Sequence, residues 1–314
     1  MNINAVDIVN AATLEKVVLT QRVAGFLNNQ QTDEKRAAIE NVARLLAQDI
    51  SLQVREALAF ELRTCNLLPH DLAAKIASDV ESVASPFLAS TETFSDIQLA
   101  GLIPHLEEHA HITIARRAGL GPQVCLAIVS VGTDKTVSFI VRNDHVTLDE
   151  NTCNRVVNRF GTSRDMMDLL SSRIDLPLSV AEAIISKVSE ECREAMKIQY
   201  GVETPMVDDI TRNTQHETMW QQIEKATPSQ LHGYVMDLRN NQRLTTDMVM
   251  EFADRGCLGF LESAMAIEAG LTLAAVREAL YGTDMAAFVK LMQAANVSKA
   301  VAQEYRQIIS KQVL

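Results

Sequence analysis

The chain has 314 residues and a net charge of −11, so it is a poor candidate for binding nucleic acid, where affinity depends on neutralising phosphates. The same charge disfavours adsorption to an anionic membrane, and the sequence contains no run of about 18 apolar residues that would predict a membrane span. The N-terminus has no basic segment followed by an apolar one, so we expect no secretory signal and predict a cytoplasmic protein.

Residues 1–50 are predicted to form a helical cap. Within them, Ala37 to Ile50 places apolar residues at helical spacing and charged residues opposite, which is typical of an amphipathic helix. A terminal unit with a polar outer face is what a repeat array needs for solubility.

Residues 51–202 repeat one pattern, in which two apolar residues stand six positions apart. The pairs are Leu62 and Leu68, Leu88 and Phe94, Ile114 and Leu120, Ile140 and Val146, Leu170 and Leu176, and Met196 and Val202. Self-similarity at such a period is the signature of stacked repeats, and each unit has room for two short helices and their turns. The pattern therefore predicts an all-α fold, a right-handed α-solenoid of short two-helix HEAT-like repeats.

The pattern stops at residue 203. Residues 203–219 are polar, contain Pro205, and are predicted to be a loop or linker. Pairs at the same spacing return at Leu238, Ile267 and Leu291, so we predict a C-terminal helical domain over residues 220–314. No useful length of sequence alternates with period two, so strand content should be near zero.

Three stretches carry a resemblance to a known family. They are ITIARRAGLGPQVCLAIVSVG, SFIVRNDHVTLDE and GCLGFLESAMAIEAGLTLAAVREALYG, the last of which has the form G-x-L-x-F followed by A-x-x-A-G-L. These stretches resemble the bacterial family called domain of unknown function 2336, from about residue 40 onward. The pattern in this chain consists of Gly256, Leu258, Phe260, Ala266, Ala269, Gly270 and Leu271. The resemblance implies a cytoplasmic all-helical protein, and it implies no activity and no residue roles.

Alignment of the repeat units places several arginines in register. Ser90, Arg116, Arg142 and Ser172 fall in one column, and Thr91, Arg117, Asn143 and Arg173 fall in the next. Positive charge at helix C-termini is ordinarily stabilising, by about 0.3–1 kcal/mol per residue, which is one interpretation of both columns. The other interpretation is a basic strip that binds an acidic peptide, a phosphorylated segment or a small anion.

Arg155 and Arg159 extend this charge along the second helix of the fourth unit. Asn151 and Asn154 lie on the same helix, and no apolar residue there fits the expected buried columns. The helix is interpreted either as part of a ligand-binding face or as a loosely packed unit.

The string His105-x-x-Glu108-His109 matches a metallopeptidase pattern in which two histidines bind a metal and the glutamate acts as base. Pro104 precedes it, it stands at a repeat junction, and no third ligand can be identified. We therefore interpret these residues as polar side chains at a repeat turn, and predict no metal site and no cofactor.

The sequence contains no phosphate-binding loop, dinucleotide fingerprint or nucleophile elbow. Our first hypothesis is a non-enzymatic helical-repeat scaffold that binds another protein in bacterial signalling or regulation. The alternative is a sensor that binds a small anionic ligand, such as a nucleotide second messenger, between the repeats and the C-terminal helices. The sequence leaves homo-oligomerisation open.

Overall fold

The computed structural model describes residues 5–28, 33–200 and 204–312. Within these ranges the chain forms twenty α-helices and a single 3-10 turn, and no strand. The all-α prediction is therefore confirmed for the described residues. The contacts divide the chain into two compact units, Met1–Asp175 and Leu176–Leu314.

Short helices joined by short turns make up the first unit. They are α1 (Ala5–Asn10), α2 (Thr13–Leu27), α3 (Asp33–Leu46), α4 (Leu52–Leu62), α5 (His70–Ala77), α6 (Glu81–Ser90), α7 (Asp96–Leu102), α8 (Glu108–Ala115), α9 (Pro122–Val131), α10 (Asp134–Val141), α11 (Glu150–Phe160) and α12 (Arg164–Ser171), with the 3-10 turn Ile103–His105 after α7. Helix starts follow local capping rules. The Ser95 side chain accepts a hydrogen bond from the Gln98 N–H at the start of α7, and Pro122 is the first residue of α9.

Alternate helices of this unit pack against one another in succession. The series α2, α4, α6, α8, α10, α12 forms one set of neighbours, and α7, α9, α11 forms another. The first member of each predicted pair lies near the end of a helix of the first set and is fully buried: Leu62, Leu88, Ile114, Ile140 and Leu170. The second members Leu68, Leu120, Val146 and Leu176 are also buried, while Phe94 is half-buried. The spacing of six therefore identified core positions correctly.

The sixth pair does not continue this arrangement. Met196 is half-buried within the long helix α13 (Leu178–Tyr200), and Val202 lies outside the described residues. The predicted loop over residues 203–219 is wrong, because Thr204–Lys225 is a second long helix, α14, which packs against α13. Its second residue is Pro205, a position where the missing N–H costs nothing. The polar residues cover its exposed face, whereas Val207 is buried.

The second unit is built around one apolar helix. After α13 and α14 it comprises α15 (Pro228–Asn240), α16 (Thr246–Asp254), α17 (Leu258–Ala269), α18 (Leu273–Tyr281), α19 (Met285–Ala294) and α20 (Lys299–Gln312). Helix α17 contacts α15, α16, α18 and α19, and every residue from Phe260 to Ala266 on it is buried. Such an all-round apolar helix is the expected core element of a globular unit.

No single helix in the described ranges is long and apolar enough to cross a membrane. Helices α17 and α18 pass the length and composition test only when taken together, and they meet at an angle of 115°. Most of the residues of α17 lie in the core of the second unit.

An ion pair at the N-terminal end of the first unit makes its stability depend on pH. The Lys16 ammonium donates to Asp49 Oδ2 at 2.7 Å, and both side chains are only 9% exposed. Burial alone would raise the pKa of Asp49, but hydrogen bonds from Lys16 and from the Ser51 N–H lower it overall. Asp49 therefore stabilises the fold above the pKa of its unfolded form, about 3.9, and loses this contribution as the pH falls through the lowered value.

We expect Asp49→Asn to lower the free energy of unfolding by about 1–2 kcal/mol at pH 7, because the charge-assisted hydrogen bond is lost. The difference from wild type should shrink as the pH falls below about 4, because the Asp49 carboxyl is protonated first in the unfolded chain and in the folded protein only at its lowered pKa. Urea denaturation followed by circular dichroism at pH 7 and at stepwise lower pH tests this. A difference that stays constant across the series would contradict it.

Candidate functional site

Residues of the second predicted column, Thr91, Arg117, Asn143 and Arg173, reach back to the preceding helix of the α4–α12 series. We call these four residues the inner column. Arg117 donates from Nη1 to the Leu88 carbonyl at 3.1 Å and from Nη2 to the Thr91 carbonyl at 2.8 Å, at the end of α6. Burial lowers the pKa of Arg117, as expected for a guanidinium removed from water. Arg117 therefore satisfies helix-end carbonyls, which have no partner within their own helix.

Asn143 acts on a neighbouring helix in the same way, whereas Thr91 acts only through Thr93. The Asn143 amide donates to the carbonyls of Ala115 and Arg117, at 2.9 and 2.7 Å, at the end of α8. Thr91 Oγ1 donates to Thr93 Oγ1, which in turn donates to the Cys65 carbonyl beyond the end of α4. The column thus links each unit to the one before it.

Arg173 makes the largest set of such contacts. Nη1 donates to the Val141 carbonyl at 2.8 Å, and Nη2 donates to the Val146 carbonyl at 2.6 Å and to Asp175 Oδ2 at 2.8 Å. Nε donates to the other Asp175 oxygen, and the side chain is only 6% exposed. The donors of Arg173 are used within the first unit, so the structure gives it a structural role.

Residues of the first predicted column, Ser90, Arg116, Arg142 and Ser172, are all exposed. We call them the outer column. The Arg116 guanidinium lies 4.1 Å from the centre of the Phe139 ring on the next helix of the series, in a cation–π contact. The Arg142 side chain makes no hydrogen bond or ion pair among the described residues. It lines an open cavity of about 680 Å³ together with Asp144, Arg173 and Asp175.

The two arginines of α11 also differ from each other. Arg155 is exposed and has no partner within the described part of the chain, whereas Arg159 donates from Nη1 to the Val129 carbonyl near the end of α9. The prediction that α11 lacks buried apolar residues is wrong, because Cys153, Val156 and Val157 are buried. Helix α11 is therefore a packed member of its series rather than a loose one.

The histidine cluster does not assemble around one point. His105 belongs to the 3-10 turn, and α8 begins only at Glu108, so His105 and His109 do not share a helix. His109 hydrogen-bonds the Asp79 carbonyl at 3.2 Å, and Glu108 accepts from the Thr133 hydroxyl at 2.6 Å. No group of three or more metal-ligating side chains occurs in the ranges that the structure describes.

A cavity of about 380 Å³ opens at the start of α17 in the second unit. Its wall includes Trp220, Arg255, Gly259, Ser263 and Arg277. The GCLGF stretch, which carries part of the family resemblance, forms part of this wall, and no site was predicted there. The signal available in the sequence was the pair of glycines at the start of an apolar helix. Because glycine has no side chain, the backbone is accessible to a ligand at these two positions.

The chain was also compared with known proteins. A model of the family domain of unknown function 2336, described as uncharacterised protein conserved in bacteria, matches residues 83–312. This chain belongs to that family. The comparisons with curated proteins and with solved structures found no match. The family match begins at residue 83 rather than near residue 40, so it covers the later helices of the first unit and nearly all of the second.

The structure explains physically why this member of domain of unknown function 2336 has the G-x-L-x-F…A-G-L pattern. Gly256 has a φ of +104° and turns the chain into α17, whose Phe260 is completely buried. A Cβ on Gly259 would lie 3.1 Å from the Leu231 side chain, so glycine permits close packing of α17 and α15. Gly270 ends α17 in the left-handed conformation that favours glycine. The pattern therefore describes the placement of the core helix.

Proposed function

We propose that this protein is a non-enzymatic scaffold of bacterial signalling or regulation, and that its first unit is a right-handed α-solenoid that binds another protein. The supporting observation is the difference between the two columns. The inner column uses its polar groups on neighbouring helix ends, while the outer column repeats exposed side chains at the same position of successive units. Exposed positions repeated along stacked helices suit an extended partner segment.

Charge indicates the chemistry of that segment. Arg116 and Arg142 are exposed cations of the outer column in a chain whose net charge is −11, and Arg142 is unpaired among the described residues. Guanidinium groups bind carboxylates and phosphates through two parallel hydrogen bonds. The partner segment is therefore acidic or phosphorylated. Arg155, also exposed and unpaired within the described chain, is a secondary candidate, whereas Arg117, Arg159 and Arg173 act through the fold.

The double charge reversal Arg116→Glu/Arg142→Glu tests the proposal. We expect it to reduce capture of the specific partner from host lysate at least tenfold, since about 1.4 kcal/mol is tenfold in affinity and reversal at two binding positions exceeds that. Quantitative mass spectrometry of the eluates measures the change. Far-UV circular dichroism should be unchanged, because neither side chain is buried.

The matched control is Lys290→Glu/Arg306→Glu, which makes the same charge change at exposed residues of the second unit. It should leave capture of the partner unaltered. If both double variants lose the partner equally, the effect is one of overall charge. If neither loses it, the outer column is not the binding surface.

A further inference from the structure

The cavity at the start of α17 contains hydrogen-bond donors without acceptors. Gly259 is the second residue of α17, and its backbone N–H has no acceptor among the described residues. Ser263 lies one turn further along, is only 2% exposed and lines the same cavity, and its hydroxyl makes no hydrogen bond to any described residue. A hydroxyl on a nearly buried residue ordinarily has a partner, so the position of this one on the cavity wall points to a ligand.

Two guanidinium groups line the same cavity. The nearest carboxylate contacts of Arg255 are 3.7 Å to Glu251 and 3.9 Å to Glu217, which are too long for hydrogen bonds. Its guanidinium carbon lies 5.1 Å from the centre of the Trp220 ring, which holds it beside the cavity. Arg255 therefore keeps its N–H donors available.

Arg277 is oriented by a buried carboxylate. Its Nε donates to Glu262 Oε2 at 2.7 Å, and the Tyr281 hydroxyl donates to the other oxygen, Oε1, at 2.7 Å. Glu262 is 7% exposed, and each of its oxygens thus has a partner. The terminal nitrogens of Arg277 have no partner among the described residues and remain free to bind an anion.

The helix start adds to this electrostatic preference. Helix α17 has twelve residues, and its N-cap residue Cys257 makes no side-chain cap hydrogen bond. The N-terminus of a helix carries a partial positive charge and presents backbone N–H groups, which together favour anions. A phosphate group has enough oxygen acceptors for the Gly259 N–H, the Ser263 hydroxyl and both guanidinium groups.

The remaining wall sets the size and character of the ligand. Ile223, Leu231 and Leu273 contribute apolar surface, Trp220 contributes an aromatic ring, and Glu224 contributes an exposed carboxylate. A volume of about 380 Å³ accommodates a phosphate with a small organic group attached. We propose that this cavity binds a phosphate group, either as the free ion or as the phosphate of a small monoester. This inference concerns the second unit and does not depend on the proposed partner surface of the first.

Titration calorimetry on the full chain with inorganic phosphate, a nucleoside 5′-monophosphate and the corresponding nucleoside tests the proposal. Fluorescence of Trp220, the single tryptophan of the chain, reports binding locally. We expect the monophosphate to bind and the nucleoside not to bind. Binding of inorganic phosphate as tightly as the monophosphate would identify the free ion as the ligand, whereas no heat and no fluorescence change with either would overturn the proposal.

Variants distinguish this site from surface binding. Arg255→Gln should weaken phosphate or monophosphate binding at least tenfold, and Ser263→Ala should weaken it less. Arg239→Gln is the control, because Arg239 is an exposed arginine of the same unit, paired with Glu268 at 3.3 Å and not on the cavity wall. Equal binding by wild type and Arg255→Gln would overturn the assignment. Because the Arg255 side chain makes no hydrogen bond in the described structure, its replacement should leave the fold intact.

Discussion

Replacing Arg173 with leucine should destabilise the region of α10 and α12 by about 3 kcal/mol, because breaking a buried, hydrogen-bonded charge network leaves its partners unsatisfied. The side chain is 6% exposed and serves the carbonyls of Val141 and Val146 together with the Asp175 carboxylate. Leucine supplies apolar volume but no donor. Three carbonyls, those of Val141, Asn143 and Val146, and a carboxylate would then lose this donor.

Amide hydrogen exchange followed by mass spectrometry measures this effect locally. Peptides from α10 and α12 should exchange about a hundredfold faster, since each 1.4 kcal/mol corresponds to tenfold. Arg142→Leu is the matched control, because Arg142 is an exposed arginine beyond the end of α10 without a partner among the described residues. In the Arg142→Leu variant, the exchange rate of the same peptides should remain within severalfold of the wild-type rate. Equal acceleration in the two variants would contradict the structural role of Arg173.

Replacing Phe260 with alanine should lower the stability of the second unit by about 4 kcal/mol, because it removes a large buried side chain and leaves a cavity. Phe260 is fully buried, and its ring centre lies 4.6 Å from that of Phe252. The Phe252 ring in turn stacks on Trp220 at 5.8 Å. The loss of packing should therefore extend from Phe260 through Phe252 to Trp220 in the core.

Trp220 fluorescence during guanidinium denaturation measures the stability of this unit directly, because Trp220 is the only tryptophan and belongs to the second unit. The midpoint should shift to a markedly lower denaturant concentration. Val289→Ala is the control, since Val289 is 46% exposed on α19 and its truncation should cost less than about 1 kcal/mol. A Phe260→Ala midpoint equal to that of Val289→Ala would show that α17 is not the core element.

The sequence predicted the helices of the first unit well because their signals are local. The spacing of six between apolar residues placed Leu88, Ile114 and Ile140 in the core, and Ser95 and Pro122 are residue types that favour the helix starts at which they lie. Polar composition misled the prediction in the second unit. The polar residues of α14 predict a loop, whereas they form a helix because α13 packs against it and buries part of its surface, which the sequence does not show.

The arginine columns show where sequence information ended. Aligned units placed Arg116 and Arg142 in one column and Arg117 and Arg173 in the next, but the same two interpretations applied to both columns. A shift of one residue along the end of a helix changes the direction in which the side chain points. The Arg173 side chain therefore donates hydrogen bonds to carbonyls at the end of the preceding helix, whereas the Arg142 side chain is exposed.

Three properties follow from the sequence alone: the helical content, the fixed apolar spacing of the early helices and membership of the bacterial family. They depend on periodicity, capping and short patterns along the chain. Which arginines have free donors, and which side chains surround the proposed anion site, depends on the folded arrangement. Whether a guanidinium has an acceptor depends on carbonyls about 30 residues away, as for Arg173 and Val141. Likewise, Ser263, Arg255 and Arg277 line one cavity only because α17 packs at the centre of the second unit.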